Sequence, residues 1–348
     1  MNKKNAAIIL TAFCMALTFS VLSFPKISMG QSSLPPVLNL ATHPLGSKYN
    51  ALGSGIGTVL SAHLSTEFKV MPTGGPAVWL PMIRTEEVDL GVANGWDSKM
   101  GYLAAGPYKK IMGGKGAPVR LICNGSPNLN AVITAANTDI KTGKDLRGKR
   151  FVGMFTGSAA ITAQAEAALA NFGLTSSDVK FISVPGVSQG VKSIIEGRAD
   201  ASGSAVIGMG VIAELDAKRG ARFLSFDPSP EAAKRYADIF PAVPVKVEPG
   251  PKRIGVREPI YMMKYDTYLI GAKTLSDETA YQIAKTLWDY NKELWPIHAA
   301  LKSWTTDLFV TKNATVPYHP GVIKFYKEKG AWDAEMDKVQ SRLLSSGN

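Results

Sequence analysis

The chain has 348 residues, 45% of them hydrophobic, with 21 prolines and a formal net charge of +11. That length and apolar content fit about two globular domains able to bury a real core. The basic residues are scattered, without a run of five, which argues against a nucleic-acid arm and for a mildly cationic surface or anionic ligands.

The first 30 residues read as a secretory signal: Lys3 and Lys4 lead an uncharged apolar stretch, Ala6–Phe24, and Ser28-Met29-Gly30 offers small residues for cleavage after Gly30. The alternative is an uncleaved N-terminal anchor, because the stretch is about as long as a short membrane span. Phe13 before Cys14 is too large for a lipid-attachment site. Removing Lys3, Lys4 and Lys26 with the leader takes the charge from +11 to +8. Cys123 is then alone in an apolar stretch, so it forms no internal disulfide and reads as a buried thiol.

After a proline-containing lead-in, Val37–Ala41 is the first strand, with the loop Thr42–Ser47 beyond it. Lys48–Leu64 is a glycine-rich helix, Phe68–Met71 a strand, and Pro76–Glu86 a helix with proline at its start, where the missing N–H matters least. Asp89–Ala93 is a third strand leading to a loop, Asn94-Gly95-Trp96-Asp97. Val119–Cys123 and Asn130–Ala135 are apolar strands, the second a crossover, and Asp145–Lys149 is a surface turn. Phe151–Met154 then runs through Thr156-Gly157-Ser158 into a small-residue helix, with Ser158 as the N-cap. A turn of this kind aims backbone N–H groups beyond the strand end, which makes an anion site.

Val179–Val184, a helix to Glu196 and Asp200–Ala205 repeat the earlier order. Gly46 and Gly157, Gly75 and Gly186, and Asp89 and Asp200 are each 111 residues apart (157 − 46, 186 − 75, 200 − 89). Three anchors at one offset argue for two lobes of one strand–helix–strand–helix–strand design. Ile207–Lys218 reads as a helix, Ala221–Phe226 as a strand and the proline-rich stretch Pro241–Pro259 as an irregular excursion. Thr267–Ala272 is a strand returning to the first lobe; Asp277–Leu294, Val322–Lys329 and Ala334–Leu344 are helices.

The expected fold is therefore α/β, with two lobes that each carry a parallel sheet, a cleft between them and strand crossovers as the hinge. The divisions are a signal at 1–30, the first lobe at 31–135, the second at 136–262, and a return to the first with C-terminal helices at 263–348.

His43, His63, His298 and His319 do not pair at metal spacing, and the chain has no HExxH, CxxC, Walker loop, EF-hand loop or GxSxG elbow. Gly53-Ser54-Gly55-Ile56-Gly57 resembles a dinucleotide fingerprint only loosely. No cofactor and no metal are expected, and binding is favoured over catalysis. The groups available are those of the strand-end loops: Thr42, His43, Ser47, Lys48 and Tyr49; Thr73 and Gly74; Asn94 and Trp96; and Thr156, Gly157, Ser158 and Ala159. Hydroxyls, amides and N–H groups so placed suit a small anion such as a carboxylate. Each Ser or Thr is either a ligand group or a satisfied cap. Lys48 is a counter-charge or a solvated lysine, and Trp96 is a stacking lid or an interface residue.

The ordered motifs resemble the TAXI-type solute receptors of TRAP transporters. Ala41–Tyr49 is similar to the family's A-T-G-P-x-G-G-x-Y loop, Thr73-Gly74-Gly75 to T-G-G-S, and Val152–Ser158 to G-x-x-G-S-G-T after Asp145–Arg150, which resembles D-L-x-G-K-R. Val316–Gly321 and Phe325–Glu328 resemble the closing V-P-x-H-P-G and Y-Y-x-E. The resemblance implies a monomeric periplasmic receptor of the two-lobe type II periplasmic-binding-protein fold. It would capture an organic anion such as glutamate or 2-oxoglutarate and deliver it to a TRAP-type permease, with Tyr49, Thr73, Gly157 and Ser158 inheriting ligand roles. The sequence departs at His43 and Ser47, which replace glycines, at Ala159 and Ala160, which replace Gly-Thr, and at Asn94-Gly95-Trp96, which stands in place of Gln-Ser-Asp. These departures point to a larger or less polar acid. The rivals are a receptor of an ATP-driven importer or sensor with the same fold, and an exported enzyme of unrecognised type.

Overall fold

The computed structural model describes residues 34–347; the signal reading of residues 1–30 lies outside them. The chain runs β1 (Val37–Thr42), α1 (Lys48–His63), β2 (Glu67–Pro72), α2 (Pro76–Arg84), β3 (Leu90–Asn94), α3 (Gly95–Leu103), α4 (Tyr108–Ile111), β4 (Val119–Asn124) and β5 (Asn128–Ala135). It continues through β6 (Arg150–Phe155), α5 (Ala159–Asn171), β7 (Lys180–Val184), α6 (Val187–Ile195), β8 (Ala201–Val206), α7 (Gly210–Arg219), β9 (Ala221–Phe223) and α8 (Pro230–Ile239). The last elements are β10 (Val243–Val247), β11 (Ile260–Tyr265), β12 (Thr267–Ala272), α9 (Asp277–Asp289), α10 (Pro320–Glu328) and α11 (Ala334–Ser346).

Two sheets result, one ordered β2-β1-β3-β12-β4 and the other β10-β11-β5-β8-β6-β7, with β9 pairing β5. Neither is wholly parallel, which corrects the expectation. The β1/β2, β1/β3, β6/β7 and β6/β8 pairs are parallel, but β12 lies antiparallel between β3 and β4, and β5 is antiparallel to β8 and β11. The cause is the second passage of the chain: β11 and β12 arrive from the opposite direction and complete both sheets.

The 111-residue repeat has a physical basis in two matched devices. Asp89 Oδ2 accepts the Asn39 N–H at 2.7 Å, and the Asp89 N–H donates to the Asn39 carbonyl. Asp200 does the same to Arg150, at 2.8 Å, and 150 − 39 is again 111. Each aspartate thus ties the start of one strand to the first half of its parallel neighbour. The ends of α2 and α6 also match: Glu87 N–H bonds Met82 C=O as Arg198 N–H bonds Ser193 C=O, around left-handed residues Glu86 (φ 60°) and Gly197 (φ 71°).

The sheets are joined where β4 passes to β5 through Gly125–Pro127 and where β11 passes to β12 through Asp266 alone. The two passages are bonded together by Gly125 N–H, which donates to Thr267 C=O at 2.8 Å, and Gly95 N–H at the start of α3 donates to Asp266 C=O at 3.1 Å. Gly125 admits no side chain, since a Cβ there would lie 2.3 Å from the ring of the fully buried Trp304.

Three local readings change. Asn94–Asp97 is not a loop but the start of α3, because the Asn94 side chain caps the helix and outweighs the helix-weakening Gly95. Pro241–Pro259 contains the edge strand β10, where Pro244 is tolerated because an edge strand has one side without ladder bonds. The strand expected at Ala221–Phe226 ends at Phe223. Among the described residues no helix is long and apolar enough to cross a membrane.

Candidate functional site

The strand-end loops of the first sheet converge on the crossings, and their polar groups are mostly engaged with one another. Thr42 is fully buried; its hydroxyl donates to His43 C=O (3.1 Å) and accepts from Asn50 Nδ2 (3.0 Å). Ser47 caps α1 by accepting the Asn50 N–H at 3.1 Å. Thr73 donates to Thr42 C=O at 2.8 Å and accepts the Gly75 N–H at 3.0 Å, leaving Gly74 exposed at the tip.

His43, Lys48 and Tyr49 behave differently. The His43 ring stacks on Tyr49 at 4.3 Å, and its Nε2 is buried without a hydrogen-bond partner among the described residues. Burial pushes the imidazole down to about 4, so it is neutral at pH 7. Lys48 is not a solvated lysine: its Nζ donates to Asn128 Oδ1 (2.7 Å) and Pro127 C=O (3.2 Å), and burial lowers it from 10.5 to about 8. The Tyr49 hydroxyl is buried within reach of Thr267, Asn94 and Tyr265, and burial raises it well above its ordinary value.

Asn94, Asp97 and Tyr108 form the floor. Asn94 Oδ1 accepts the Asp97 N–H (2.8 Å), its Nδ2 donates to Asp97 Oδ2 (2.6 Å), and Tyr108 donates to Asp97 Oδ1 (2.9 Å). Burial raises the Asp97 carboxyl to about 6 despite these bonds. Trp96 faces inward. It is 5% exposed, donates its Nε1–H to Ile239 C=O at 2.9 Å and stacks on Phe240, so it joins α3 to the end of α8.

The fourth loop sits on the second sheet. The N–H groups of Thr156, Gly157 and Ser158 close the turn, donating to Val184, Pro185 and Phe155 carbonyls. The expectation of free N–H groups at these positions therefore fails, because the end of β7 takes two of them and the turn takes the third. Ser158 caps α5 by accepting the Ile161 N–H at 3.4 Å. The donors that remain are the first-turn N–H groups of Ala159 and Ala160, which an α-helix leaves without an internal acceptor. No hydrogen bond among the described residues joins 156–159 to 42–49. On the second sheet Gln164 Oε1 accepts from Asn130 (3.0 Å) and Ser204 (2.8 Å), with the buried Tyr265 near it, whose hydroxyl burial pushes up to about 12.

Sequence reasoning missed Asp97, Tyr108, Asn128, Tyr265, Thr267 and Gln164 as site residues. A signal existed for two of them: Asn128 lies just before the apolar run Ala131–Ile133, and Gln164 lies in a run of alanines. Both are polar groups at positions whose periodicity requires burial. The whole arrangement presents hydroxyls, amides and one lysine around a shared polar region, a composition suited to holding a small polar or anionic molecule.

Comparison with known proteins follows the same lines. A family model described as the NMT1-like family matches residues 40–330. Among solved structures, PhnD1 from Prochlorococcus marinus (MIT 9301) in complex with methylphosphonate is similar with a TM-score of 0.55 at 10% identity, over 86% of this chain and 100% of that one. The aliphatic sulphonate binding protein SsuA from Escherichia coli gives 0.48 at 14% identity, over 90% and 84%. A TctC solute binding protein from Polaromonas gives 0.46 at 14% identity, over 89% and 94%. Only the first exceeds 0.5, and at 10% identity it speaks to the fold alone. The architecture is the mixed α/β fold of periplasmic binding proteins, as anticipated apart from its strand directions.

Proposed function

The chain belongs to the NMT1-like family, and from that premise we propose that it is an extracytoplasmic solute-binding receptor that captures a small organic anion and hands it to a membrane permease. One observation carries the reading: Lys48, Tyr49 and Asn94 meet the crossing-strand residues Asn128 and Thr267 in one buried polar cluster where the first sheet's strands end. A carboxylate displacing Asn128 from Lys48 gains a charge-assisted bond of about 1.5–3 kcal/mol, and three or four such bonds approach the roughly 8 kcal/mol of a micromolar complex. The methylphosphonate held by PhnD1 is a small organic anion of the same class.

In this reading residues 31–135 and 263–348 form one lobe and 136–262 the other, and the ligand is trapped by closure about the crossings. The permease is of the TRAP type, on the ordered TAXI-like motifs, and the protein is a periplasmic monomer that performs no catalysis. The proposed ligand-contacting set is the one read from the loops, with His43, Lys48 and Tyr49 at its centre and the α5 N-terminus opposite. Native mass spectrometry of gently purified protein, followed by denaturation, tests it. A stoichiometric organic acid released intact, which raises the melting temperature when added back, is the expected result. An empty protein that no acid in a broad library stabilises would sink the reading, and chemical conversion of the released molecule would replace it with an enzyme.

A further inference from the structure

A cavity of about 440 Å³ lies beside the cluster just described and shares Tyr265 with it, but none of the loop residues at 42–49, 73–74 or 156–159 lines it. Its walls come from separated parts of the chain: one face of α3, the segment from the end of α8 into β10, the β11–β12 junction, the loop at 312–315 and α11. Tyr102 donates its hydroxyl hydrogen to Leu343 C=O at 3.2 Å and so fixes α11 against α3 at this place.

The charge in this cavity is one-sided. Lys99, Lys264, Lys312 and Arg342 line it from four different elements, against the single carboxylate of Asp266 (4 − 1 = +3). Asp266 has its own counter-charge in Lys264, whose field opposes the rise that burial imposes on the carboxyl. Lys312 is 3.7 Å from Asp333, which does not line the cavity. Lys99 and Arg342 have no ion-pair partner among the described residues. Cations without such a partner occur elsewhere too, Lys69 and Lys273 among them, but Lys99, Lys264, Lys312 and Arg342 line one cavity together. Convergence of like charges from four elements on one concavity raises the local potential for anions. The size falls in the range of small-molecule sites, and apolar walls at Leu103, Leu343 and Ala242 favour a carbon skeleton between the charges.

We propose that this cavity is a second anion site, which takes a small organic dianion of the dicarboxylate type and bridges the wall of α3 and α11 to the α8–β10 segment. The dianion meets Lys99 and Arg342 on one wall, and its chain lies along Ala242 on the other.

Isothermal titration of the purified protein with adipate tests this. The expected result is a binding component that weakens at least tenfold in Lys99→Glu/Arg342→Glu and survives in Lys48→Met, which alters only the loop cluster. Ala242→Glu, which leaves every cation in place and adds a carboxylate to the facing wall, produces the same loss. Restoration by Lys99→Arg/Arg342→Lys separates lost charge from lost folding. Adipate that binds the double charge reversal as it binds the wild type overturns the proposal. So does the absence of binding to the wild type, or complete loss of the signal in Lys48→Met, which would return the anion to the first cluster.

Discussion

Lys48 is the residue on which the proposed site turns, and its burial gives a test with a definite sign. Its ammonium is lowered from 10.5 to about 8, so between those values the unfolded chain binds the extra proton and the folded one does not. Stability from this group therefore rises as pH goes from 8 to 10.5, while affinity for an anion falls once the charge is lost. We expect the dissociation constant of the co-purifying acid to weaken by about tenfold per pH unit above 8, and Lys48→Met to bind weakly with no such slope. A flat profile for the wild type between pH 7 and 10 would refute this role. Asp97 runs in the opposite sense. With its carboxyl raised to about 6, the folded state holds the proton that the unfolded state releases, so this group's contribution falls as pH rises from about 4 to 6. Asp97→Asn should remove that decline, as read by urea midpoints at pH 4, 5, 6 and 7.

Glu86 belongs to the same scale. It holds φ 60° without being glycine, at the position where the matching turn in the second half has Gly197. A left-handed non-glycine residue is strained by about 1 kcal/mol. Glu86→Gly should therefore raise stability by roughly 0.5–1 kcal/mol in urea denaturation, and the same replacement at exposed sites of ordinary φ should lower it. Equal losses at both kinds of site would show that the turn is unstrained.

At the scale of elements, the crossings are the most constrained part of the fold. Gly125 lets the chain pass directly over the ring of Trp304 while donating to the other crossing. Gly125→Ala forces one of these apart and should cost about 1–3 kcal/mol, measured as a lower urea midpoint, whereas Gly210→Ala, in open space and at an ordinary φ, should cost less than half as much. Much of this layer was legible beforehand because its signals are local. Pro76 opens α2, Ser47 and Ser158 cap α1 and α5, and the two aspartates mark the starts of β3 and β8. What stayed illegible depends on distant partners. Nothing within Ile260–Tyr265 says that it lies between β10 and β5, and α8 fell between assigned stretches although Ser229 caps it. The site divides in the same way. His43, Lys48 and Tyr49 were readable as loop groups, but the partners that bury them, Asn128, Tyr265 and Thr267, come from strands 80 to more than 200 residues away.

At the scale of the whole molecule, the two halves share one design but are not independent bodies. The first sheet borrows β12 from the far end of the chain, and the second takes β5 before its own repeat begins at β6. That interleaving is why three anchors at one offset could reveal a repeat while the expectation of two wholly parallel sheets failed.

The place of β12 has a consequence for how the chain comes into being. It lies between β3 and β4, at Thr267–Ala272, and its side chains are buried throughout. Until those residues leave the ribosome, β3 and β4 have no neighbour on their inner edges, so more than three-quarters of the polypeptide is made before the first sheet can close. A nascent chain in this condition offers long unpaired strand edges to chaperones and has little native structure to lose. The first sheet is thus the later of the two to be completed, although β1, β2 and β3 are all made well before β12.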